Sequence, residues 1–208
     1  MRTNVFVDGY NLYYGSLKDK PGRKWLDLSA LAAKIQPKAK INRIRYFTAL
    51  VHPRPHDPQE NVRQQTYLRA LRTLPNLSIH LGQYRTHDVR MRLASPPPSG
   101  PTTVLVTKTD EKGSDVNLAS YLLCDAFDGD YEQALVISND SDLTTPIEMV
   151  ATKFRLPVVV FSPHDNVCGA LRRVARYCRP LRPGPIEASQ FPPTLQDGKG
   201  SFTKPAHW

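Results

Sequence analysis

Val5-Phe6-Val7-Asp8-Gly9-Tyr10-Asn11-Leu12 is the stretch on which the fold turns. Three apolar residues in a row, ended by Asp-Gly, read as a short strand that stops in a turn. A strand without a polar face has nowhere to sit except inside a parallel sheet covered on both sides. Asn11 to Tyr14, with Leu17, suggest a helix directly behind it.

The same grammar recurs along the chain. Ala134–Ile137 and Val158–Phe161 are short and wholly apolar, and Thr103–Val106 reads as another strand. Ile41–Val51 alternates like a strand. Between these lie helical patterns: Leu26 to Ile35, Gln59 to Leu74, Ser114 to Phe127 and Val167 to Tyr177. A further helix runs to about Phe154 and starts at Thr145-Pro146-Ile147-Glu148, where Thr145 can cap, Pro146 suits the first position and Glu148 completes a capping box. Strands alternating with helices predict a three-layer α/β/α sandwich with a mostly parallel central sheet.

Three stretches interrupt the alternation. His52 to Pro58 is a Pro- and His-rich turn. Ile79 to Leu93 reads as extended and exposed, and Ser95 to Pro101 is a Pro-rich surface loop within the domain. From Arg179 onward prolines and polar residues dominate. The expected organisation is one domain over residues 1–180, then a Pro-rich tail, 181–208, of little regular structure, draped over the domain.

The 208 residues carry 28 Lys and Arg against 19 Asp and Glu, a net charge of +9, which suits a polyanionic partner such as nucleic acid and equally an ordinary basic protein. Three cysteines, Cys124, Cys168 and Cys178, are odd in number and lack a CxxC spacing. That argues against a disulfide framework or a zinc site and for a reducing compartment; Cys124 reads as a small core residue. With no apolar stretch long enough for a signal peptide or a membrane span, the expectation is a soluble cytoplasmic protein.

In open α/β sheets ligands bind beyond the carboxyl ends of the strands. Asp8 follows the first strand. Ser138-Asn139-Asp140-Ser141-Asp142 follows Leu135-Val136-Ile137. Lys112-Gly113-Ser114-Asp115 opens the helix after Val104-Leu105-Val106. Each acid alone has a structural reading: Asp8 in a turn, Asp140 as a cap, Asp115 at a helix N-terminus. Four carboxylates at one sheet edge resist ionisation together unless a cation neutralises them. Hard cations such as Mg²⁺ and Mn²⁺ take such oxygen ligands and serve to hold phosphate oxygens and activate water.

Three motifs resemble those of one family. Val5-Phe6-Val7-Asp8-Gly9-Tyr10-Asn11 is similar to the opening Asp-x-x-Asn motif of the NYN family of PIN-like proteins. Lys112-Gly113-Ser114-Asp115-Val116 is similar to its Lys-Gly-x-Asp-Val motif, and Ser138-Asn139-Asp140-Ser141-Asp142-Leu143 to its Ser-Gly-Asp-Ser-Asp-Phe motif. The resemblance spans Thr3 to Cys178. It implies a PIN-like fold and a Mg²⁺- or Mn²⁺-dependent ribonuclease, with Asp8, Asp115, Asp140 and Asp142 as metal-binding, catalytic acids. Asn11 and Ser138 would orient water, metal or phosphate. Two departures stand out: Asn139 for Gly puts a side chain near substrate, and Leu143 for Phe is a packing change. PIN-like proteins are often dimers, so a homodimer and a restraining, antitoxin-like protein partner are further expectations.

Substrate RNA, single-stranded or not, would be gripped by cations. Lys112, Arg43, Arg45, Arg85, Arg90 and Arg92 are candidates, with Arg172, Arg173 and Arg176 on the last helix. Tyr10, Tyr13 and Tyr14 could stack on bases, although at least one of Tyr13 and Tyr14 is expected to pack into the core. Two readings compete: a non-catalytic nucleic-acid-binding or regulatory protein that keeps the fold, and a small-molecule enzyme on the same scaffold. The first strand runs into Asp8-Gly9-Tyr10 rather than the Asp-x-Asp of an aspartyl phosphatase, and the sequence has neither a dinucleotide-binding glycine motif nor a P-loop.

Overall fold

The computed structural model describes residues 1–53, 57–206 and 208. The central sheet is built from β1 (Arg2–Asp8), β2 (Lys40–Thr48), β3 (Leu77–Leu81), β6 (Gln133–Ile137), β7 (Val158–Ser162) and β8 (Tyr177–Pro180), in the order β3-β2-β1-β6-β7-β8. Every pairing in it is parallel. The chain steps outward from β1 to β3, then returns to β6 and steps out the other way. β1 and β6 therefore flank the point where strand order reverses, the place where such sheets hold their ligands.

Side chains alternate across this sheet. Val5, Val7, Leu135, Ile137, Val159 and Phe161 face one layer, formed by α1 (Gly9–Leu12) with its π-helical continuation Tyr13–Leu17, α2 (Leu28–Ile35) and α3 (Glu60–Leu71). Phe6, Val136, Val158 and Val160 face the other, where α4 (Ser114–Phe127), α5 (Thr144–Lys153) and α6 (Gly169–Val174) pack. The wholly apolar strands thus have apolar partners on both faces, and the sandwich expected from their pattern is the fold observed. Each fully buried Val, Leu or Phe contributes about 1.5–3 kcal/mol to it.

Several expectations need correction. Thr103–Val106 is not part of the central sheet. β4 (Gln83–Arg92) and β5 (Thr103–Lys112) pair only with each other, as an antiparallel ribbon inserted between β3 and α4. Val104 and Leu105 are 44% and 57% exposed there, because the ribbon lies outside both helical layers. α5 has no Thr145 cap: its N-cap is Leu143, because the 3-10 turn Ser141–Leu143 runs straight into it. The last helix stops at Val174, and Tyr177 already belongs to β8. Cys124 is exposed rather than core. The turn His52 to Pro58 falls partly outside the described residues.

The chain after Pro180 is regular, contrary to the low-structure expectation. α7 (Pro183–Glu187) and a hairpin of β9 (Thr194–Asp197) and β10 (Gly200–Thr203) follow β8. Leu181, Ile186 and Phe191 are buried in the first core cluster. Trp25 donates its indole N–H to the Pro192 carbonyl at 2.8 Å, and Phe202 and Trp208 set their rings edge-on against it. Arg69 of α3 clamps both carboxylate oxygens of Asp197 at 2.7 Å. Prolines that bar a central strand did not bar packing, because apolar residues sit between them.

Candidate metal centre

Three elements converge at the switch point. Asp8 is the last residue of β1 and lies buried. Its Oδ1 accepts the backbone N–H of Asn11 at 2.9 Å, so it caps α1, and its Oδ2 accepts the Ser138 hydroxyl at 2.8 Å. A carboxylate has about four lone-pair sites, so two remain for another partner. Ser138, fully buried just past β6, also accepts the Asp140 N–H at 3.1 Å and thereby ties the two acidic loops together. Asp140 caps the 3-10 turn through the Asp142 N–H at 2.9 Å. Asp115 stands in the first turn of α4.

The structural readings of the individual acids are therefore true of their backbones, and they are also what brings the carboxylates together. Asp8, Asp115 and Asp140 each present an oxygen within 4.8 Å of the others. Burial above all, reinforced by the charge of Asp140, holds the Asp8 carboxyl above its ordinary range, against the pull of the Asn11 N–H and the Ser138 hydroxyl. Burial, then the charges of Asp8, Asp140, Glu111 and Asp142, push Asp115 up to about 6. Crowded carboxylates that resist ionisation in the bare protein, with oxygen-only donors, fit a hard divalent cation.

Asp142 stands outside this group of three: it is exposed on the 3-10 turn, and its charge is the weakest of those felt at Asp115. Asn11 accepts the Asn139 backbone N–H at 3.0 Å, locking the two motifs in register. The Asn139 side chain turns away from the acids, donating to the Asn166 carbonyl at 3.0 Å and accepting the Cys168 N–H at 2.8 Å. Leu143 is buried in the second core cluster.

The expected cations divide. Arg45 is buried in a two-pronged ion pair with Asp125, at 2.8 and 2.7 Å, with its guanidinium over the Tyr121 ring. Arg43 pairs with Asp130. It lies four strand positions, about 13 Å, back from Phe47, the residue level with Asp8. Neither arginine is available to substrate at the acids, because strand alternation and register turn both toward the far end of α4. Arg176 hydrogen-bonds the start of β7 and so sits at the opposite edge of the sheet. Lys112 is exposed at the ribbon root, 3.9 Å from Asp110. Arg85, Arg90 and Arg92 are exposed on the ribbon, and Arg172 and Arg173 on α6. Tyr13 packs against the core while Tyr14 is exposed. Tyr10 is half-buried, its hydroxyl 2.8 Å from that of Tyr84 on β4. It therefore fastens the ribbon root to α1.

One residue escaped sequence reasoning. Glu111 accepts both the backbone N–H and the hydroxyl of Ser114, at 3.1 and 2.8 Å, and so anchors the start of the helix that carries Asp115. Gly82 packs so tightly there that a Cβ would lie 2.1 Å from the Glu111 carboxylate. An acid three residues ahead of the serine is not a recognised start signal, since capping boxes place the acid after the cap. The positive φ of Gly113 is what folds it back.

A family model, the NYN domain, matches residues 2–182. The curated 6-hydroxy-3-succinoylpyridine 3-monooxygenase HspA of Pseudomonas putida (strain DSM 28022 / S16) is 30% identical over an alignment of 237 positions that covers 100% of this chain and 75% of that protein. A crystal structure of a protein of unknown function from Vibrio parahaemolyticus RIMD 2210633 superposes with a TM-score of 0.57 at 14% identity, covering 88% of this chain and 93% of the other. That likeness speaks to the fold. Among the described residues no helix is long and apolar enough to cross a membrane.

Proposed function

The chain belongs to the NYN-domain family, and we propose that it is a divalent-metal-dependent ribonuclease whose phosphodiester chemistry takes place at Asp8, Asp115 and Asp140. The observation that carries the reading is the meeting of these three carboxylates, from three separate elements, at the sheet's switch point. Mg²⁺ or Mn²⁺ held there would supply Lewis acidity toward phosphate oxygens and a more acidic water. Asp8 and Asp140, fixed by Ser138 and by their own caps, present oxygens in a preset geometry. Asp115, whose raised pKa makes its ionised carboxylate the stronger base, is suited to orient the attacking water and accept its proton. Asp142 would act from the rim, Asn11 and Ser138 would hold the acidic loops, and Lys112 would meet phosphate. Arg85, Arg90 and Arg92 would track the RNA backbone, which need not be paired. The proposal includes a cytoplasmic setting, a homodimer and a restraining protein partner.

The test is cleavage of a labelled, unstructured RNA with Mn²⁺, Mg²⁺ or EDTA, alongside Asp8→Asn and Asp140→Asn. Cutting that needs metal and disappears in both variants upholds the reading. An inactive wild type, or variants that cut as well, defeats it. A second reading, a small-molecule enzyme on this scaffold, is favoured by one observation: the similarity, along 100% of this chain and 75% of the other, to a protein named as a monooxygenase of a substituted pyridine.

A further inference from the structure

Beside the acids lies a cavity of about 300 Å³ that phosphodiester chemistry at the three carboxylates leaves unused, at the small end of ligand-binding clefts. Its aromatic walls come from distant parts of the chain: Tyr10 and Tyr13 follow β1, Tyr46 lies near the end of β2, Tyr67 on α3, Tyr84 on the ribbon root, and Trp208 at the C-terminus. These rings already meet edge to face, Tyr10 with Tyr84 at 84°, Tyr46 with Tyr67 at 89° and Tyr67 with Trp208 at 64°. One more planar ring would extend that arrangement, which aromatic quadrupoles favour over stacking face on face.

Among the described residues the polar lining is itself partnered, Arg63 being engaged with Asp57. Gln64 is spent on the backbone, donating to the Ala49 carbonyl and accepting the Val51 N–H, so it braces the wall. The Tyr10 hydroxyl is likewise engaged, with the Ala49 backbone and the Tyr84 hydroxyl, so the aromatic rings are what the wall offers a ligand.

Gly9, the residue after Asp8, forms part of the wall. Tyr46 packs so closely on it that a Cβ there would meet the Tyr46 hydroxyl at 2.8 Å. The cavity thus lies against the residue that follows Asp8, on the sheet face of Tyr46 and Tyr67.

We propose that this cavity binds a planar aromatic ring, either the base of a nucleotide or a free small molecule.

Isothermal titration calorimetry of the full chain in EDTA tests it, with adenosine and uridine as base probes, 2-hydroxypyridine as the free ring and cyclohexanol as a non-aromatic control. At least one ring class binds saturably and cyclohexanol does not. Val51→Phe, which fills the cavity from a loop, and Trp208→Ala, which removes a wall, each weaken binding about tenfold while the circular dichroism spectrum stays that of wild type. Nucleosides binding alone identify the base as the source, 2-hydroxypyridine binding alone identifies a free ligand, and both outcomes uphold the ring site. No ring binding, cyclohexanol binding equally well, or folded Val51→Phe and Trp208→Ala titrating like wild type overturns it. Asp8→Asn separates the two readings: ring binding survives there whether or not RNA cleavage was ever present.

Discussion

Removing a carboxylate from the acidic cluster should make the metal-free protein more stable. Asp115 is pushed up to about 6 from an ordinary value near 3.8, by burial first and then by the neighbouring acids. Between those two values the unfolded chain gives up its proton while the folded one keeps it. Unfolding thus releases a proton, and stability falls as pH rises through that window. Above about 6 the whole penalty is present; below the unfolded value it vanishes. Two pKa units correspond to about 3 kcal/mol, and half-burial reduces this to roughly half. Asn in place of Asp in the first turn of α4 gives back about 0.5 kcal/mol of dipole stabilisation. Asp115→Asn should then gain about 1 kcal/mol near neutral pH, a rise of roughly 2–4 °C in melting temperature for a chain of this size. Differential scanning calorimetry in EDTA, repeated from acid to neutral pH, reads it directly. The gain should grow between pH 4 and 6 and level off above. Mn²⁺ should stabilise wild type selectively and erase the difference. A variant equally or less stable at neutral pH in EDTA, or a difference that ignores pH, refutes the account of the cluster.

Other perturbations separate what builds the site from what builds the fold. Glu111→Ala frees the start of α4 and should cost about 1 kcal/mol in urea denaturation, with RNA cleavage falling further than stability because Asp115 shifts. Arg45→Met strands a buried Asp125 carboxylate and should cost about 3–5 kcal/mol. Adding Asp125→Leu should recover most of that, with cleavage per folded molecule unchanged. Truncation after Pro193 removes the β9–β10 hairpin and Trp208, and should cost about 3 kcal/mol while shifting Trp25 emission to the red. Replacing Arg90 and Arg92 by Ala should lower the slope of log affinity for RNA against log salt by about 2, from two lost phosphate contacts; an unchanged slope would remove the ribbon from the RNA path.

The centre of the sheet was legible because β1, β6 and β7 carry short runs apolar on both faces, each followed by an acid or a serine. Val5-Phe6-Val7 and Leu135-Val136-Ile137 need helices on both sides, and they have them. Their carboxyl ends then bring Asp8 and Asp140 together whatever the loops do. Asp142 was harder to place. It is two residues from Asp140, yet the 3-10 turn that Asp140 itself caps points it to solvent. Arg45 reads as a surface cation in sequence. Only the register of β2 beside β1, and the length of α4 that carries Asp125 to meet it, make it a buried partner.

The ribbon marks where local pattern runs out. Thr103-Val104-Leu105-Val106 has the composition of the buried strands, and a short apolar run cannot tell which sheet it will join. The distinguishing feature is the rest of the strand: Thr107 to Lys112 stays extended, with a hydroxyl or a charge at every position. A central parallel strand has no room for that, because both of its faces must be covered. The residues opposite in register, Gln83 to Arg92, are equally polar, so the pair can exist only where water reaches both faces. The consequence for function is direct. The ribbon's root carries Tyr84 onto Tyr10 and Glu111 onto Ser114, one contact beside the aromatic cavity and the other at the start of the helix bearing Asp115. Whatever engages the exposed arm therefore bears on both candidate sites through a few residues at its base.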